Sequence, residues 1–193
     1  MLLMKILRVL APTLLLSTMG AAQSPIKEAD AVLRYDAKGD FIPPTDYREW
    51  VFLGSGLDMS YSNLPSMMGH SMFDNVFVDP ASWRAFKATG HWPDHAVFIM
   101  EARRAEQKGS INKHGQYQTE EVMGLEAHVR DEARFKGGWG FFVLDGNKPA
   151  PRLPYEAQCY SCHQAHGAVD TTFTQFYPTA KPIAVKAGTF LDR

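Results

Sequence analysis

Two cysteines and a histidine fall within five residues, Cys159-Tyr160-Ser161-Cys162-His163. Cys-x-x-Cys-His is the attachment signature of a c-type haem: each thiol adds to a vinyl group and the histidine coordinates the iron. One helical turn between the cysteines puts both sulfurs along one edge of the ring, and His163 falls beneath it. In an exported chain a cysteine pair can instead close a disulfide. A redox-active Cys-x-x-Cys, however, has no need of the trailing histidine, and it opens a helix of a βαβ pattern that is missing around residues 150–170. These are the only two cysteines in the chain. The motif therefore reads as one covalent haem c, held by Cys159 and Cys162, with His163 as axial iron ligand.

Function is decided on the other face of such a haem. A second histidine there would give a six-coordinate, electron-transfer iron. Of the other six histidines, His166 is too close to His163 to reach that face and His114 lies in a polar loop. His70 and His128 are the distal candidates, and for each a surface or supporting role is the plainer reading. Glu126 shares a strand face with His128. On a solvent face it is an ordinary carboxylate. On a face that holds the haem, burial raises its pKa and suits it to proton transfer.

The elements that must position these residues are mostly strands. Residues 23–45 read as an extended arm. Tyr47–Gly54 begins as a helical turn and ends as a strand, and residues 54–72, with four methionines, read as a long loop. Asn75–Val78 is a short strand. Asp79 caps a helix with Pro80 at its first position, closed by Gly90. Ala96–Ala102 is a strand rich in β-branched and aromatic residues, and the polar run 103–116 a loop. Tyr117–Arg130 alternates, with Met123, Leu125, Ala127 and Val129 on one face and Val122, Gly124, Glu126 and His128 on the other. Asp131–Phe135 reads as a helical turn, Trp139–Leu144 as a strand, and the haem motif as a short helix from about Tyr155. The aromatic tail Thr172–Pro178 is expected to pack back on the body. The implied fold class is α+β: a mainly antiparallel sheet with a few short helices and the haem against one face.

The chain has 193 residues and a formal charge of −1. Lys5 and Arg8, the apolar run Val9–Leu16 and the small residues Gly20-Ala21-Ala22 read as a signal peptide over 1–22, cleaved before Gln23. The run is too short to span a bilayer comfortably, which takes ~20 residues. A mature chain 23–193 without those two basic residues carries −3 and shows no basic patch, which argues against nucleic acid as a partner. One domain, exported to the periplasm, is the expectation.

In order along the chain, Tyr47-Arg48-Glu49-Trp50-Val51, Val76-Phe77-Val78-Asp79-Pro80, Gly124-Leu125-Glu126-Ala127, Arg134-Phe135 before Trp139, the late Cys-x-x-Cys-His and Phe173-Thr174-Gln175-Phe176-Tyr177-Pro178 resemble cytochrome P-460 and the beta-type cytochromes c-prime. The resemblance implies an exported homodimer with one haem per subunit. It also implies small nitrogen oxides as ligands at an open distal iron, nitric oxide first and hydroxylamine as an oxidisable substrate, with electrons passed to an external redox partner. In that family a strand lysine bonds to the haem ring and a glutamate on the next strand moves protons. Glu126 matches the glutamate. Met100 stands at the lysine position as a haem contact. Methionine has no amine, and Lys87, Lys108 and Lys113 lie outside the strand, so the cross-link and the oxidase activity that depends on it do not carry over with the rest. Phe52, Phe73 and Phe77 are candidates to cap the distal side and equally good core residues. The alternative function is a six-coordinate electron-transfer cytochrome.

Overall fold

A computed structural model describes residues 32–59, 69–109 and 111–193. The expected signal peptide and Met67 and Met68 lie outside the described residues. Five strands form one antiparallel sheet in sequence order: β1 (Val51–Leu57), β2 (Met72–Val78), β3 (Val97–Glu106), β4 (Tyr117–Arg130) and β5 (Trp139–Val143). Three helices, α1 (Pro80–Thr89), α2 (Gln158–His166) and α3 (Lys181–Ala187), complete an α+β architecture. Short 3-10 turns cover Tyr47–Glu49, Lys136–Gly138 and Thr174–Phe176.

The period-2 alternation of the strands gives the sheet two buried faces. On one, Leu53, Val78, Phe98 and Trp139 pack with Phe86 and Trp92, with Tyr160 of α2, and with Tyr177, Ala180 and Ala184 of the C-terminal segment. On the other, Val97, Ile99, Ala127, Val129 and Phe142 pack with Phe41, Tyr47 and Trp50. The extended arm is thus the cover of the second face. Phe41 is fully buried and bridges both Tyr35 and Ala150. Cross-strand register fixes the helix-covered face row by row: Val78, Phe98, His128 and Phe141 in one row; Val76, Met100, Glu126 and Val143 in the next; Asp74, Ala102 and Gly124 in a third.

Several sequence expectations hold to the residue. The α1 helix starts after Asp79, whose carboxylate accepts from the Ser82 N–H at 2.8 Å, and ends at Gly90 in the left-handed region. β4 spans Tyr117–Arg130, as its alternation requires. Others are corrected. Gly54–Leu57 continue β1 rather than opening a loop. Gly54 suits that place because a Cβ there would stand 3.0 Å from the Phe176 carbonyl. Arg103–Glu106 continue β3 although they are largely charged, because the charges are paired: Arg103 binds Glu101 on the same strand, and Arg104 lies 3.2 Å from Glu121 of β4. The haem-motif helix begins at Gln158 instead of Tyr155. Helix α3 had no sequence assignment. It is seven residues long, begins with a proline in its first turn and ends at Gly188 in the left-handed region.

Candidate functional site

Helix α2 places Cys159, Cys162 and His163 at i, i+3 and i+4, so the three share one side. Buried Tyr160 anchors the helix to the body, packed at a tilt on Tyr155 with 4.5 Å between ring centroids and lying over Gly137. Gly137 has φ 76°, and a Cβ there would overlap the phenol of Tyr160. The two cysteines are not joined in a disulfide.

The His163 ring lies against the sheet. Phe173 packs on it at 4.1 Å, Phe141 at 4.8 Å and His128 edge-on at 4.6 Å. Its Nδ1 is 2.9 Å from the Thr171 carbonyl. A carbonyl only accepts, so Nδ1 carries the proton and Nε2 is left as the free lone pair. Burial lowers the His163 pKa to about 4 against the opposing pull of that hydrogen bond, and the ring is neutral at pH 7.

Two adjoining cavities open over this face of the sheet. One, open to solvent, has about 500 Å³ of free space between His163, His128, Glu126 and Met100, and the other, also open, about 610 Å³ between Met100, Asp74, Met59 and the Gly54–Gly56 strand. They share Val76, Met100, Phe173 and Tyr177 as walls. Both are mainly apolar. Met100 is therefore the floor between them, and no lysine is among the described residues lining either.

Two carboxylates face this space. Glu126 lines the cavity and is partly open to solvent, and desolvation by the surrounding protein raises its pKa. Asp74 is pushed up to about 6, first by burial and then by the charges of Glu126 and Asp58. Glu126 also acts on the other side of the cavity, where burial and then its charge raise the Cys159 thiol. Asp74 escaped the sequence reading. The signal was present, since it alternates with Val76 and Val78 on β2, but a polar residue beside a loop reads as solvated.

His128 is not a distal ligand. Phe141 stacks on it at 4.2 Å, Trp139 lies at 4.2 Å, and it touches His163 itself. Two imidazoles bound to one iron from opposite faces, with metal–nitrogen bonds of roughly 2 Å each, cannot have centroids 4.6 Å apart. His70 is exposed and lines neither cavity. Of the aromatic candidates, Phe77 packs on the opposite face against Tyr47 at 5.8 Å and Phe52 at 5.7 Å, and Phe52, Phe73 and Phe77 are all missing from the described cavity walls. Val76 and Met100 line both cavities, and Asp74 lines the second.

The sequence model described as Cytochrome P460 matches residues 44–174, more than half of the chain. The chain belongs to the cytochrome P460 family. Comparison with individually curated proteins gave no match. The matched span of this cytochrome P460 family member contains all five strands, α1 and α2, and both carboxylates. Membership implies a haem cofactor. The site fits one. Within reach of the His163 ring, His128 Nε2 and Thr171 Oγ1 are buried polar atoms with no hydrogen-bond partner among the described residues. Such atoms mark a place where a further polar group belongs. A neutral imidazole with its outer nitrogen already hydrogen-bonded is the form that ligates iron.

Proposed function

We propose that this protein is a periplasmic mono-haem c-type cytochrome that binds or redox-converts small nitrogen oxides, nitric oxide first. The observation that carries the reading is His163 on the wall of an apolar cavity that also contains Glu126 and Asp74. In it, Cys159 and Cys162 hold the haem by thioether bonds and His163 is the axial ligand. Met100 packs against the ring where the family's cross-linking lysine stands. A flexible thioether fills such a wall well and makes favourable contact with a π system.

The bound haem supplies an iron that takes a diatomic or hydroxylamine ligand and exchanges electrons with an external redox protein. The chain's own residues supply the rest. His163 presents Nε2 because Thr171 occupies Nδ1. Val76, Phe173 and Tyr177 give the cavity apolar walls. Glu126 accepts protons that oxidation of hydroxylamine releases, and its raised pKa matches that task. Asp74, close enough to feel the Glu126 charge, shares the proton with it. The family resemblance supports a homodimer as the working assembly.

The absorption spectrum of the reduced protein tests the reading. An ordinary five-coordinate high-spin spectrum that changes on adding nitric oxide is the expected result. A strongly red-shifted Soret band would mean a modified ring and full hydroxylamine oxidase chemistry. The Met100 sulfur in the cavity favours one second reading, a methionine-ligated electron-transfer cytochrome. A low-spin spectrum indifferent to nitric oxide would establish that reading in place of the first.

A further inference from the structure

Asp170 and Thr171 both have left-handed backbones, with φ 47° and φ 60°. Neither is glycine, and Thr171 is β-branched, the type least at ease there. Consecutive residues of this kind persist only where the surroundings over-determine them, and they collect at functional sites.

The surroundings here converge on one carboxylate. Asp170 Oδ2 accepts the Trp92 backbone N–H at 2.8 Å and lies 3.6 Å from Arg130 Nη1, while Oδ1 lies 3.1 Å from His91 Nδ1. Arg130 is itself held, donating to the Trp92 carbonyl and to Glu132. The next residue extends the clamp: Thr172 Oγ1 accepts from Trp92 Nε1 at 3.0 Å and donates to the Val169 carbonyl at 2.7 Å. The end of β4, the segment after α1 and the 169–172 turn are thus pinned together at Asp170. The consequence is directional. A turn relaxed out of the left-handed region would swing the Thr171 carbonyl away, and that carbonyl is the hydrogen-bond partner of His163 Nδ1.

We propose that Asp170 is a positioning residue for the axial ligand: by clamping the strained turn it holds the Thr171 carbonyl on His163 Nδ1–H. This rests on the reading of His163 as the iron ligand. A carbonyl on Nδ1–H fixes the ring's tautomer and orientation and raises its basicity. A more basic imidazole favours ferric over ferrous iron and lowers the haem potential. Asp170 touches neither haem nor substrate, so its effect passes through the turn.

The test compares wild-type holoprotein with Asp170→Ala and Asp170→Asn by spectroelectrochemical titration and by the iron–histidine stretching band of the ferrous protein. Asp170→Ala is expected to raise the midpoint potential and move the band to lower frequency. Asp170→Asn keeps an oxygen for the Trp92 N–H and shifts both less, in the same direction. A merely structural Asp170 would alter thermal stability and leave potential and band at wild-type values; that result overturns the inference. If neither Asp170 variant accumulates, His91→Ala, a surface change that removes one arm of the clamp, decides: a rise in potential supports the inference and an unmoved potential and band overturn it. Wild-type protein that carries no haem overturns the functional reading, and this inference with it. A loaded wild type with unresponsive variants overturns the inference alone.

Discussion

Asp74 and Glu126 stand two strands apart on one sheet face, and the charge of Glu126 adds to the cost of ionising Asp74. Asp74 moves from 3.8 to about 6, first through burial. The folded chain then keeps a proton that the unfolded chain releases, so the stabilisation is full below about pH 4 and lost as pH rises through about 6. A shift of two pH units corresponds to about 2.7 kcal/mol, and the partial exposure of Asp74 to solvent reduces this to about 1 kcal/mol. Urea unfolding at pH 4 and pH 7 should therefore show wild type losing about 1 kcal/mol more than Asp74→Asn over that interval. Glu126→Gln tests the proton role apart from ligand entry. Turnover of hydroxylamine, where measured, should fall by roughly 100-fold or more, with nitric oxide affinity of the ferrous protein held within about twofold, since the shape of the cavity is kept. Unchanged turnover would remove Glu126 from the chemistry.

At the scale of elements, β4 does most of the positioning. Its even-numbered residues point to the helix-covered face: Glu126 into the cavity, His128 against His163, and Arg130 onto Asp170. The same strand sends Ala127 and Val129 into the opposite core, so its register cannot slip without emptying both faces. Helix α2 has a different anchor. Its orientation depends on Tyr160 sitting over Gly137 at φ 76°. Gly137→Ala adds a left-handed alanine and a methyl group in the place of the phenol ring, a cost of about 3 kcal/mol. We expect a lowered urea midpoint and a smaller yield of haem-loaded protein, because the attachment helix is the element displaced.

For the whole molecule, the buried carboxylate of Glu101 ties the covering arm to the sheet. It accepts from Tyr47 Oη, from Arg48 Nε at 2.9 Å and from Arg103. Burial alone would raise its pKa, but these hydrogen bonds, with Arg103 the largest, lower it overall. The contribution is present above the ordinary carboxylate pKa of 4.5 and is lost as pH falls through the depressed value. Glu101→Gln leaves mostly buried Arg103 without its counter-charge and should cost about 3 kcal/mol in unfolding free energy at pH 7. The loss should open the face covered by Phe41 and Tyr47, on the far side from the cavity, so thermal unfolding should shift before the haem spectrum does.

Much of this architecture was legible in the order of residues. The motif Cys159–His163 is local chemistry, written in five consecutive positions. The cap at Asp79, the stop at Gly90 and the alternation of β4 are local as well, because backbone preference and side-chain period act between near neighbours. That alternation already separated Glu126 and His128 from Ala127 and Val129. What the alternation could not say was which face held the cavity, since solvent and an apolar pocket both accept a glutamate in the pattern. The mistaken candidacy of His128 has the same origin: a strand face does not reveal which end of another element will meet it. The charged continuation of β3 read as loop because Glu121, the partner of Arg104 across the sheet, lies far away in sequence. Asp74 and Asp170 acquire their character only from neighbours brought by pairing and turn geometry. Short-range preference thus determined the Cys159–His163 motif and the strands. Long-range packing, through burial, charge proximity and the direction of one carbonyl, decided what surrounds His163.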